Sequence, residues 1–154
     1  MKRMLLVLLA CGLGVVAAAA AAEEGAKGLD AAWAKGMLAG DAAAVAACYA
    51  PDALLWLPDT PEAHGAKAIR DTYDGFLATW TVTDVTFPNA VYQTSGDLSA
   101  GWGNFTMTLK PKKGGDTVVM KGRYVDVGKK IADKWLYVAD HASADPPPPA
   151  PATK

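Results

Sequence analysis

The sequence predicts an α+β domain in which an antiparallel sheet wraps around the helices that precede it. Three observations point there. Apolar residues recur at helical spacing in the first half, Thr, Val and aromatic residues crowd into turn-punctuated segments in the second, and the two patterns do not alternate. Helices followed by consecutive strands on short turns argue against a parallel βαβ sheet.

Residues 1–22 read as an export leader. Lys2 and Arg3 form a charged start, Leu5 to Val16 an apolar stretch, and Ala17 to Ala22 offers A-x-A cleavage points before Glu23. A rival reading takes Leu8-Leu9-Ala10-Cys11 as a lipidation box that acylates Cys11. The domain spans 23–144. Its first helix carries Leu29, Trp33 and Met37 on one face and stops at Gly40. Asp41 suits the N-cap of a short second helix, Ala42 to Tyr49, which ends before Pro51. After a brief apolar run, Leu54 to Leu57, Gly65 precedes a third helix, about Ala66 to Leu77, with Ile69, Tyr73, Phe76 and Trp80 three or four residues apart.

Four strand segments follow at 82–93, 98–110, 116–128 and 134–143, punctuated at Ser95-Gly96-Asp97 and Lys113-Gly114-Gly115-Asp116. Pro88 marks the first of them as an edge or a bulge. Residues 145–154 hold five prolines and so lack the amide donors that a sheet or helix needs; an extended, disordered tail is expected.

Composition excludes several partners. The chain carries 15 Lys+Arg against 16 Asp+Glu, and 13 against 16 once Lys2 and Arg3 leave, so no basic surplus exists for nucleic acid. No later run approaches the roughly 20 apolar residues of a membrane span. A periplasmic or secreted product, free of the membrane after leader cleavage, is expected. Without Cys11, Cys48 has no partner for an intramolecular disulfide, and its Ala-rich setting predicts a buried thiol. His64 and His141 are the only histidines, no Cys/His metal spacing occurs, and there is no Gly-rich phosphate loop; neither metal nor cofactor is expected.

The string Gly40-Asp41, then Tyr49-Ala50-Pro51-Asp52-Ala53, then His64-Gly65 with Ile69 and Tyr73, then Arg123 to Val127, and finally Lys134 to Ser143, resembles the NTF2-like superfamily in its DUF4440/SnoaL-like branch. The resemblance implies a cone-shaped curved sheet closed by three helices, a pocket at its wide end, and dimerisation through the sheet. It says less about activity, because the fold hosts isomerases, cyclases, hydrolases and non-catalytic binders.

Among these relatives, similarity to ketosteroid isomerases sets Trp33 where an oxyanion-binding Tyr would stand, Asp52 at the general base and Tyr73 at a pocket tyrosine. A second oxyanion donor, a protonated Asp, falls at Val125 or Asp126, and a slip of one residue turns a strand side chain to the opposite face. An Asp in an apolar cone can stay neutral and donate. On the last strand, Leu136, Val138, Asp140 and Ala142 should share one face, with Trp135, Tyr137, Ala139 and His141 on the other. The resemblance favours Asp140 inward.

The candidate catalytic residues are therefore Asp52, Asp126 and Asp140, and the candidate ligand walls Trp33, Trp56, Tyr73, Trp80 and Tyr124. Plain structural roles compete with each: Asp52 as a turn cap, the other carboxylates as solvated strand residues, the rings as core. The expected function is a homodimeric domain whose aromatic-lined pocket binds a small apolar or carbonyl-bearing molecule. The alternative is an isomerase- or cyclase-type enzyme in which a pocket Asp moves a proton next to a carbonyl while Trp33 or Tyr73 holds the oxygen. Two carboxylates converging on a cavity would favour the enzyme, and an occluded or wholly apolar one the binder. For the leader, intact-mass analysis of exported protein is expected to show a chain beginning near Glu23; a lipid adduct on Cys11 would overturn that expectation.

Overall fold

The computed structural model describes residues 25–146. The expected leader at 1–22 and all but the first two residues of the expected tail at 145–154 lie outside them. Three helices, α1 (Ala26–Ala39), α2 (Ala42–Ala46) and α3 (Gly65–Thr79), pack on one curved, unclosed sheet of seven strands. The strands are β1 (Tyr49–Trp56), β2 (Ala63–His64), β3 (Trp80–Thr86), β4 (Val91–Ser95), β5 (Leu98–Pro111), β6 (Val118–Ile131) and β7 (Lys134–Ala144).

The predicted helix faces are the buried ones. Leu29 and Met37 of α1 are buried and Trp33 is half-buried, while α3 turns Ile69, Tyr73 and Leu77 inward. Gly40 ends α1 in the left-handed region at φ 67°, where it avoids the penalty a Cβ would meet. Asp41 caps α2, its Oδ1 accepting from the Ala44 N–H at 2.9 Å. The start of α1 is capped from the sheet: Ser99 Oγ on β5 accepts from the Ala26 N–H at 2.9 Å.

Four expectations need correction. The second helix stops at Ala46, and Tyr49–Trp56 is a strand that pairs parallel to β7, so the sheet is mixed rather than antiparallel throughout. Its pairing shifts register between Tyr49 and Leu54, an irregularity that accommodates Pro51. The segment 82–93 is two strands, β3 and β4, separated around Pro88 and Asn89; both pair with the long β5. Trp80 opens β3 rather than extending the third helix.

The sheet path runs β2-β1-β7-β6-β5-β3, with β4 joined to β5. Tyr49, Leu55, Ile69, Tyr73, Val82, Leu109 and Tyr137 are among the residues of the core between helices and sheet. Cys48 is buried there, and burial pushes its thiol up to about 11. None of the helices among the described residues is long and apolar enough to cross a membrane.

Candidate active site

A cavity of about 190 Å³ opens between the sheet and the helices. Its wall is mostly apolar, with Met37, Phe76, Phe87, Phe105, Met107 and Met120, and its polar residues include Asp30, Asp126 and Asp140. Two hydrogen-bond systems organise that polar part.

The first centres on Asp30, buried on α1. Its Oδ1 accepts from the Tyr137 hydroxyl at 2.6 Å, and its Oδ2 from Tyr92 at 2.8 Å and Tyr124 at 2.9 Å. Three strands are thereby tied to one helical carboxylate. Each such bond to a charged group is worth roughly 1.5–3 kcal/mol.

The second runs in one direction. Trp33 Nε1 donates to the Tyr73 hydroxyl at 2.9 Å, the Tyr73 and Tyr49 hydroxyls lie 2.8 Å apart, and Tyr49 donates to Asp140 Oδ2 at 2.6 Å. Since Tyr49 has one hydroxyl hydrogen and gives it to Asp140, the hydrogen between the phenols belongs to Tyr73. Every donor in the chain points toward Asp140. Burial raises the Asp140 carboxyl to about 6, with the Tyr49 hydrogen bond opposing the rise and the Asp30 charge adding to it.

Asp126 completes the site and stands directly across the β6–β7 ladder from Asp140. It is 2% exposed, and neither carboxyl oxygen has a partner at good hydrogen-bond geometry, although the Asp30 carboxylate and the Gly101 N–H lie near enough to act on it. The other such side-chain atom among the described residues, Trp135 Nε1, does not border the cavity. Space for the carboxyl exists because residue 101, opposite it on β5, is glycine; a Cβ there would come within 2.9 and 3.1 Å of its oxygens. Burial first, then the Asp30 and Asp140 charges, push Asp126 up to about 9. Like charges directly opposite repel, so near neutral pH the cross-strand pair favours a single proton, with burial biasing it toward Asp126.

The structure brings together Trp33, Tyr73, Tyr124, Asp126 and Asp140 of the sequence-derived set, all at the cavity wall. It separates the other three. Asp52 is exposed on β1, where Ala53 and Leu55 turn inward instead, so it cannot serve as a base in the cavity. Trp56 donates to Glu62 Oε2 at 2.6 Å, and Trp80 packs against the core; neither lines the cavity. Nor can Trp33 or Tyr73 hold a substrate oxygen as expected, because both of their hydrogens are spent along the chain to Asp140.

The expected alternation on the last strand fails for a physical reason. Val127 pairs with Ala139 but Gly128 with Tyr137, which leaves Val138 as the extra residue of a β-bulge. Tyr137 before it and Asp140 after it consequently both face the cavity, while His141 is exposed. Asp30, Tyr49, Tyr92 and Tyr137 were missed. Asp30 had a signal: positions 30, 33 and 37 share a helix face, so it is a carboxylate set into an apolar stripe. Among the described residues no cluster of three or more His, Cys, Asp or Glu could hold a metal ion.

Comparison with known proteins gives a family and a fold. The profile of the SnoaL-like domain matches residues 29–138. No functionally curated protein matches the chain. A solved structure from Xanthomonas campestris, named for the calcium/calmodulin-dependent protein kinase II association domain, is 25% identical and superposes with a TM-score of 0.71 over 78% of this chain and 85% of that one. A ketosteroid isomerase-like protein from Erwinia carotovora atroseptica is 22% identical, with a TM-score of 0.68 over 79% of this chain and 94% of that one. An NTF2-like superfamily protein from Salmonella enterica serovar Typhimurium is 15% identical, with a TM-score of 0.69 over 82% and 92%. The last two show the fold alone.

The state of Asp126 has a measurable signature. A carboxyl raised from 3.8 to about 9 on folding binds a proton in the folded chain that the unfolded chain has released. Its stabilising contribution is complete below about 4 and is lost as pH rises toward 9. Asp126→Asn should therefore raise the melting temperature at pH 8, by about 4–8 °C per kcal/mol recovered, and flatten the decline between pH 5 and 9. Thermal denaturation across that range checks it; a variant melting at or below wild type at pH 8 would mean an ionised, well-paired Asp126.

Proposed function

The chain belongs to the SnoaL-like domain family, and we propose that in this member the pocket is catalytic, moving a proton next to the carbonyl of a small, largely apolar molecule. One observation carries the reading: two aspartates stand opposite each other across a ladder at one cavity wall, Asp140 accepting from Tyr49 and Asp126 buried where its carboxyl is pushed toward the protonated form. Environments that push two carboxyl groups apart are the usual basis for assigning base and acid.

Asp140 is the base. Its carboxylate takes a proton from the carbon beside the carbonyl, the C–H electron pair becomes a C=C bond, and the carbonyl π pair moves onto oxygen. Asp126 is the acid: its carboxyl makes no hydrogen bond of good geometry within the protein, so its proton turns to the developing enolate oxygen, bonding it or transferring to it. Return of a proton from Asp140 to carbon, with Asp126 recovering its own, regenerates the ketone or its isomer. Donors fixed in a low-dielectric cavity stabilise that oxygen without reorganising.

The mostly apolar wall supports a second reading, in which the same molecules bind without turnover. Two further proposals accompany the first. The charged start and apolar run of residues 1–22 support export to the periplasm or beyond. Val91, Trp102 and Val125 form an exposed apolar row across β4, β5 and β6 that supports a homodimer built on the outer sheet face. Light scattering at micromolar concentration is expected to give twice the chain mass, and a clean monomer would count against the dimer.

Deuterium uptake into the methyl group of acetophenone, followed by NMR in D2O, tests catalysis. The rate should rise as pH passes about 6 and fall above about 9, following Asp140 and Asp126. Asp140→Asn should slow it by about 10²–10⁴-fold, the usual worth of a positioned base. Uptake no faster than in buffer across pH 5–10, with acetophenone bound, would leave only the binding reading.

A further inference from the structure

The charge and size of the cavity restrict what it can accept, and this restriction deepens the proton-transfer reading, on which it rests for the role of Asp126 as donor. Asp30, Asp59, Asp126 and Asp140 all border the cavity, and among the described residues no Lys, Arg or His does. An anion entering would give up its hydration, find no cation in return, and sit beside Asp30 and Asp140; such an unpaired buried charge is among the costliest arrangements in a protein. A neutral carbonyl meets none of these penalties and supplies the acceptor that Asp126 lacks. Size narrows the class further. A cavity of about 150 Å³ is known to hold benzene, so about 190 Å³ suits one ring with its carbonyl and a small substituent. The ring would lie among Phe76, Phe87, Phe105 and Met107.

We propose that the site takes an uncharged carbonyl compound built on a single ring and turns away the corresponding carboxylate.

Three probes of nearly the same shape test this with the full chain: acetophenone, benzamide and benzoate, titrated by calorimetry at pH 8. Benzamide is uncharged but has no acidic C–H, so its binding reports the cavity's preference apart from any turnover. Acetophenone and benzamide are expected to bind, with benzoate at least tenfold weaker than benzamide. Lowering the pH to 5 should shrink that gap several-fold, since benzoate remains largely ionised there, with a pKa of about 4, while Asp140 takes up a proton. The groups facing Asp140 are Asp30 and Trp33 from α1, Tyr49 from β1, Tyr73 from α3 and Asp126 from β6, with Tyr137 on its own strand and Asp59 at the cavity wall. Asp140→Asn should likewise bring benzoate toward benzamide at pH 8. Benzoate binding within threefold of benzamide at pH 8, or no binding by any of the three, would overturn the proposal. Acetophenone that binds but takes up no deuterium would instead sink catalysis and leave the charge preference standing.

Discussion

The carboxylate of Asp30 holds the site together. It is buried on a helix, yet three phenol hydroxyls from three strands converge on its two oxygens. The arrangement fixes α1 against the sheet, and it also consumes the hydrogens of Tyr92, Tyr124 and Tyr137. Those phenols therefore present no free donor to a ligand. Its charge, facing Asp126 in a dry setting, is among the causes that keep a proton on that residue. Structure and acid–base character come from the same side chain.

Polarity in the cavity is consequently sparse and directional. One set of hydrogens ends on Asp30 and another on Asp140, leaving Asp126 as the unpartnered carboxyl among them. In a medium of low effective dielectric, a satisfied network is rigid and an unsatisfied group is costly. The fold tolerates that cost at a position where an incoming acceptor would remove it. Gly101 belongs to the same economy of space, since any larger residue would fill the volume the carboxyl occupies.

Much of the architecture was legible in the sequence, because apolar periodicity reports which face of a helix is buried irrespective of the fold. Leu29, Met37, Ile69 and Tyr73 were identified in that way, and the order of helices before strands gave the α+β class. Strand β1 was not legible: Pro51 argues against a strand, and only the register shift in its pairing with β7 makes room for it. The carboxylate at position 52 followed that error, since a residue expected after a helix lies instead on the outward face of a strand. The Val138 bulge was equally hidden, because alternation along a strand carries no mark of one extra residue. Asp126 and Asp140 are each legible as candidates in the sequence; their relation across the ladder depends on pairing that only the fold determines.

The parallel pairing of β1 with β7 also bears on how the molecule assembles. The β5–β6–β7 ladders join neighbours through short turns, so the pairing that sets Asp126 beside Asp140 is local in the chain. Tyr49, whose hydroxyl bonds Asp140 across 91 residues of chain, arrives only when a long loop closes. The site thus joins a pair of carboxyls set close by local pairing to a phenol that only a long loop closure delivers.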